Sequence, residues 1–352
     1  MQRSQQSNMQ SLSMLLISYV LRCMPDARHH SLVCSAGSLG YHSLKEMLLS
    51  GVPGNTLLIE SVDLRDVVED GDGEDDDDDA ALRKRNPIYP WCSLVFTFDD
   101  DLHAYEFCKQ IPKAVSHVTL LSNMGMLPEG MLAGCTGITS IDLSLLPQGI
   151  TVVLDSFLDG CCSLTSVDMS PLSHVSVIQG GFMMGCSGLT SLDLSPLLGE
   201  VSVIQAYFLQ DCIGLTNVDL SGLCKVEEVQ HCFMYGCSGL TTIDLSSLSG
   251  VTEISGFFLS GCSGLESIDL TPLSQLNVIH YAFLQGCSGL KEIDLSPLSN
   301  VVEIQGAFLK GTGLSTIDLT SLSLLNVAPT LQDGSHYPTT TVLLPSHLAR
   351  II

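Results

Sequence analysis

A repeat solenoid, poor in helix and wound in parallel β coils of 25–26 residues, is the fold this sequence predicts, with a small helical region at its N-terminus. Three observations predict it. Aspartates recur at Asp142, Asp168, Asp193, Asp219, Asp244, Asp269, Asp294 and Asp318, with successive gaps of 26, 25, 26, 25, 25, 25 and 24 residues. Apolar residues recur in phase with them, as Leu265, Ile268 and Leu270 do one coil before Leu290, Ile293 and Leu295. Phenylalanine recurs as well, at Phe157, Phe182, Phe208, Phe233, Phe258, Phe283 and Phe308. Self-similarity at such a period marks a chain in which each unit buries its apolar faces only against its neighbours.

In chain order, residues 1–68 read as a small helical region. Met14, Leu15, Tyr19 and Arg22 share one helical face, Pro25 ends that helix, and Asp26 is placed to cap the next. SLVCSAGSLG at 31–40 and YHSLKEMLL at 41–49 follow. Ile17-Ser18-Tyr19-Val20-Leu21, the Pro25-Asp26 turn and Leu32-Val33-Cys34 resemble an F-box. That resemblance implies a ubiquitin-ligase adaptor as a partner of residues 11–50. A helical cap over the first coil is the other reading of the same stretch. The apolar run SLSMLLISYVL at 11–21 is too short to span a bilayer, but with Arg3 before it a secretory signal stays open.

Residues 69–86 read as an acidic, disordered linker. EDGDGEDDDDD at 69–79 carries nine acidic groups and nothing apolar, so it has no surface to bury. Arg83, Lys84 and Arg85 after it read as a solvated counter-charge. Residues 87–116 read as an N-terminal cap, with a strand in WCSLVFTF and a helix from Leu102 to Lys109.

Residues 117–326 are the repeats. In each coil the last three residues of L-x-x-I-x-L alternate in, out, in, as a strand does, so the aspartate faces solvent. HVTLL at 117–121 is a worn first strand. Pro171, Pro196, Pro272 and Pro297 follow the strands and end their pairing, because proline has no ladder donor. Val301, Ile304, Phe308 and Leu309 line an opposite wall, and the phenylalanines stack as one column that Met131 begins. Residues 327–352 close the solenoid as a C-terminal cap, with Val342 and Leu344 facing in.

The sequence L-x-x-I-x-L, then V-x-x-I-x-x-x-F, then G-C resembles the BspA-like class of leucine-rich repeats over roughly residues 118–352. The resemblance implies a leucine-rich-repeat solenoid with its strands on a concave wall. It implies binding or surface roles rather than catalysis.

Composition narrows the partners. With 14 basic against 38 acidic residues, the net charge is −24. Such a surface repels phosphate backbones and anionic lipid, so neither nucleic acid nor membrane is expected, and a basic protein is. Seven of the 14 cysteines share one repeat position, and no CxxC pair and no N-x-[ST] sequon occurs. These features point to a reducing, cytoplasmic setting. A surface or secreted adhesin remains the alternative if the N-terminal run is a signal.

The candidate site is the aspartate column, Asp142 through Asp318. Like charges about 5 Å apart cost about 0.8 kcal/mol per pair in water, so such a file suits a basic partner. The alternative is a structural consensus, in which Ser140, Ser166, Ser191, Asn217, Thr242, Ser267 and Thr316 donate to the carboxylates. No D-x-D-x-D-G loop supports calcium, and a file of cysteines cannot bring four ligands around zinc. The column Cys135, Cys161, Cys186, Cys212, Cys237, Cys262 and Cys287, with Thr312 last, reads as buried donors to backbone carbonyls. Gln179, Gln205, Gln230 and Gln305 read as amide bonding along the stack. Nothing resembles a phosphate loop, G-x-S-x-G or H-E-x-x-H, so no enzyme, cofactor or metal is expected.

Overall fold

The computed structural model describes residues 32–35, 56–60, 92–98, 115–122, 125–198, 200–326 and 340–348. It is a parallel-strand solenoid. Leu32–Ser35, Thr56–Glu60, Cys92–Phe98, Val115–Ser122, Ser140–Asp142 and Ser166–Val167 form one parallel sheet in chain order. Ser191–Asp193 pairs with Asn217–Asp219, and Thr316–Asp318 with Thr341–Leu343, on the same wall of later coils. Inward residues stack on inward ones, since Val118 pairs with Ile141 and Ile141 with Val167.

The strands read in WCSLVFTF and HVTLL lie within Cys92–Phe98 and Val115–Ser122. The helical region does not extend through 31–40. Leu32–Ser35 is a strand, paired with Leu57, Leu58, Ile59 and Glu60. Leu32-Val33-Cys34, quoted for the F-box, therefore belongs to the sheet. A short apolar run is ambiguous between helix and strand, and here a parallel partner takes up its backbone donors and acceptors. The remaining helices expected over 11–50 and 102–109, the linker at 69–86 and residues 327–339 lie outside the described residues.

A second wall is built from two-residue strands. Met126–Leu127, Val152–Val153 and Val177–Ile178 form one ladder, and Val203–Ile204, Glu228–Val229 and Glu253–Ile254 another. Val278–Ile279 pairs with Glu303–Ile304. The first wall is less regular than the repeat suggests, because 242–244, 267–269 and 292–294 carry no assigned strand. There the coils are joined by bonds such as Glu266 N–H to the Thr241 carbonyl, 2.8 Å, and by the second wall.

After the first wall the chain enters a 3-10 turn at Ser170–Leu172, Ser221–Leu223, Ser246–Leu248, Thr271–Leu273 and Ser296–Leu298. Pro171, Pro272 and Pro297 sit at the start of three of these, where a missing N–H costs nothing. Each turn drives its leucine into the core: Leu172, Leu223, Leu248, Leu273 and Leu298 are all buried.

The third side is a tight corner around the phenylalanine. Its backbone alternates into the left-handed region, as at Ser156, Leu158 and Gly160 with φ of 60°, 57° and 70°. For leucine this conformation costs about 1–2 kcal/mol. Hydrogen bonds in both directions hold it. Ser156 N–H donates forward to the Gly180 carbonyl, Leu158 N–H back to Met131, and Gly160 N–H forward to Met184, at 2.7–2.9 Å.

The core runs unbroken inside these three sides. Successive rings from Phe157 to Phe308 lie 5.3–6.1 Å apart and within 25° of parallel. Met131 is buried ahead of them, as its repeat position predicts. Val342 and Leu344 pack against the far end, and Leu348 is buried there. Coils approach closely at the glycine of G-C-S-G: a Cβ on Gly188 would lie 2.6 Å from the Cys162 carbonyl oxygen, so only glycine fits.

Candidate functional site: the aspartate wall

All eight aspartates, Asp142, Asp168, Asp193, Asp219, Asp244, Asp269, Asp294 and Asp318, are exposed on the first wall. Where the strands pair, the carboxylates are in register, Asp193 opposite Asp219. The file ends at Thr119, opposite Asp142, and at Leu343, opposite Asp318. Glu292 is exposed two residues before Asp294 and adds a carboxylate to the wall. Its position in the alternation was the signal for it.

The donors to these carboxylates are not the expected ones. Each Oδ1 accepts the backbone N–H two residues later, from Ser144, Ser170, Ser195, Ser221, Ser246, Thr271, Ser296 and Thr320, at 2.8–2.9 Å. The Thr320 hydroxyl also donates to Asp318, at 2.6 Å. The physical reason is the turn. The strand ends at the aspartate, so the N–H entering the 3-10 turn has no ladder partner, and a short acidic side chain folds over it.

These bonds outweigh repulsion along the file. The Ser221 N–H, then its hydroxyl, hold Asp219 below the ordinary carboxylate range, although Asp244 pushes the other way. Ser246 does the same for Asp244 against Asp269. Hydroxyl first and then N–H, Ser170, Thr271, Ser296 and Thr320 lower Asp168, Asp269, Asp294 and Asp318. Every aspartate thus caps a turn with one oxygen while adding to an anionic wall.

The cysteine column lies at the core's edge and donates as expected. Cys161, Cys186, Cys212, Cys237, Cys262 and Cys287 reach the carbonyls of Leu132, Leu158, Met183, Leu209, Met234 and Leu259, one coil earlier, at 3.1–3.2 Å. Thr312 instead bonds within its own coil, to Leu309 at 2.9 Å. Burial pushes the thiols of Cys186, Cys237 and Cys262 far up, and those of Cys212 and Cys287 up to about 12. The amide reading is corrected: Gln230 and Gln305 donate to Glu228 and Glu303 of their own coils, 3.0 and 3.3 Å away, rather than along the stack. Among the described residues, no group of three or more His, Cys, Asp or Glu side chains is arranged to hold a metal.

Parallel coils, an inward leucine and isoleucine file and an outward polar wall define a leucine-rich-repeat protein. The chain belongs to the BspA-type leucine-rich repeat family, whose model matches residues 101–230 and 202–328 in six copies. No curated protein matches it. Solved structures similar to it include the leucine-rich repeat protein of T. pallidum, at 16% identity over 57% of this chain and 78% of that one, TM-score 0.34. A leucine-rich repeat protein from Bacteroides ovatus is 17% identical over 75% and 83%, TM-score 0.33. The functional domain of InlJ from Listeria monocytogenes, described with a cysteine ladder, is 16% identical over 88% and 70%, TM-score 0.24.

Proposed function

We propose that this protein is a non-catalytic binding scaffold of the cytoplasm, whose aspartate wall docks a basic segment of a partner protein. One observation carries the reading: the carboxylates share one exposed wall, and hydrogen bonds hold six of them below the ordinary range, so they stay charged at neutral pH. The described residues add to the field, since Lys225, Lys291 and Lys310 are their only lysines and they contain no arginine. A long-range field of one sign raises the encounter rate of a basic partner and gives a salt-dependent affinity.

The test replaces charge without removing the turn caps. Asparagine keeps an Oδ1 acceptor, so Asp193→Asn, Asp219→Asn and Asp244→Asn together remove three charges while the turns stay closed. Binding of a labelled lysine-rich peptide to the full chain should weaken about tenfold and lose much of its salt dependence. Glu228→Gln, Glu253→Gln and Glu303→Gln, on the second wall, remove the same charge. If both triple variants bind alike, the aspartate wall is not the docking site.

A further inference from the structure

The corner that follows the second wall carries a patch that the repeat does not require. At one left-handed position Ser156, Gly181, Cys232, Ala282 and Ala307 are small, yet Tyr207 and Phe257 occupy it with φ of 63° and 65°. One residue earlier, Gly180, Ala206, Gly256 and Gly306 are small, whereas Asp155, His231 and Tyr281 are not. Further round the corner, Gly160, Gly185, Gly236, Gly261, Gly286 and Gly311 adopt φ of 70–79°, and Asp211 alone replaces them, at φ 56°. Each departure places a larger side chain where the template uses the least. Tyr207 carries its left-handed backbone without gaining core, being 47% exposed, and Tyr281, whose backbone is not left-handed, is 49% exposed. Strain without burial is the kind of outlier that points to use.

These departures adjoin one another. Tyr207 N–H donates to the His231 carbonyl, 2.9 Å, and Phe257 N–H to the Tyr281 carbonyl, 2.8 Å. Tyr235 and Phe257 meet edge to face at 6.1 Å, and Phe257 and Tyr281 at 5.4 Å. Gly256 is packed between His231 and Tyr281: a Cβ there would lie 3.0 Å from the Tyr281 carbonyl oxygen, 3.6 Å from His231 Nδ1 and 3.7 Å from Tyr281 Cβ, so glycine lets the two neighbours close in. Asp211 N–H bonds the Tyr235 carbonyl at 2.7 Å, and its carboxylate lies against Gly236 in that same coil. The Gln210 amide holds the other oxygen at 3.0 Å.

We propose that this corner, Tyr207, Asp211, Tyr235, Phe257 and Tyr281, is a second docking surface that takes an arginine side chain from an extended segment of a partner protein. Aromatic rings and a fixed carboxylate on one corner match a guanidinium, which stacks flat on an aromatic and pairs with a carboxylate at its edge. An ammonium makes the charge contact but not the stack. The surface is separate from the aspartate wall and discriminates where that wall attracts.

The experiment compares fluorescein-labelled hexa-arginine and hexa-lysine peptides, titrated against the full chain by anisotropy. The variant combines Tyr207→Ala, Asp211→Gly, Phe257→Ala and Tyr281→Gly, each a residue that another coil carries at that position, so the fold is kept. Tyr281→Gly alone is a milder companion. The parent should bind arginine over lysine by about fivefold, and the variant should bind both alike with its melting temperature unlowered. Loss of the aspartate-wall charges weakens both peptides together and leaves the ratio, so the two surfaces are tested independently. A parent ratio near one, or a ratio unchanged in the variant, overturns the proposal. So does a parent that sediments as a dimer and a variant that sediments as a monomer, since a second copy would then occupy the corner.

Discussion

The thiol of Cys186 lies 3.1 Å from the carbonyl oxygen of Leu158, a leucine held at φ 57° one coil earlier. The same pairing recurs from Cys161 to Cys287, so the column satisfies a carbonyl that the left-handed corner turns inward. Burial raises the thiols of Cys186, Cys212, Cys237, Cys262 and Cys287, with Cys212 and Cys287 pushed up to about 12. A group raised on folding contributes stability that is intact below its ordinary value and is lost as pH climbs through the folded one. Urea melts should therefore show stability falling between about pH 9 and 12. At pH 8, iodoacetamide should label the exposed Cys162 and Cys224 and leave the column untouched in native protein, as mass spectrometry would show. Rapid labelling of Cys237 without unfolding would contradict the packing.

Asp219 separates capping from charge. Asp219→Ala removes the acceptor for Ser221 N–H and should cost about 0.5–1.5 kcal/mol, as loss of a cap does. Asp219→Asn should cost less than half as much. The hydrogen-bonded carboxylates are lowered from 3.8, so their contribution is present above that pH and fades as pH falls through the lower folded values. Chemical melts at pH 5 and pH 3 should show a shallower acid loss in both variants than in the parent.

Phe233 is stacked between Phe208, 5.8 Å away, and Phe258, 5.3 Å away, and is fully buried. Phe233→Ala opens a cavity in the middle of the column and should destabilise by about 3–5 kcal/mol. A denaturant midpoint equal to the parent's would mean that the column does not carry the core.

Ser247 occupies the place that Pro272 and Pro297 hold in the next two coils, and its buried hydroxyl has no hydrogen-bond partner. Ser247→Pro removes that orphan and stiffens the unfolded chain. It should stabilise by about 0.5–1 kcal/mol, read from the melting midpoint.

Much of this is legible in the sequence because burial in a solenoid follows spacing. Once Leu290 and Leu295 are placed inward, the in–out alternation turns Asp294 outward, and the period stacks Phe283 on Phe308. The strand in WCSLVFTF can be read in the same way. Leu32–Ser35 cannot, since four apolar and small residues fit a helix as well as a strand until Leu57–Glu60 is seen beside them. The carboxylate partners escape a sequence reading for a related reason. The residue two places before the aspartate varies, with Asn217 standing where neighbouring coils have Ser191 and Thr242, whereas the turn N–H is a backbone group and leaves no mark in the side-chain pattern.

Period, facing and the two internal files of phenylalanine and cysteine were thus determined by the sequence itself, because they depend only on distance along the chain. Tertiary structure alone decided that Leu158 and its counterparts turn left-handed and that Tyr235, Phe257 and Tyr281 meet at one corner. Those outcomes depend on hydrogen bonds and contacts to the coils before and behind, and no local propensity encodes a partner a full coil away.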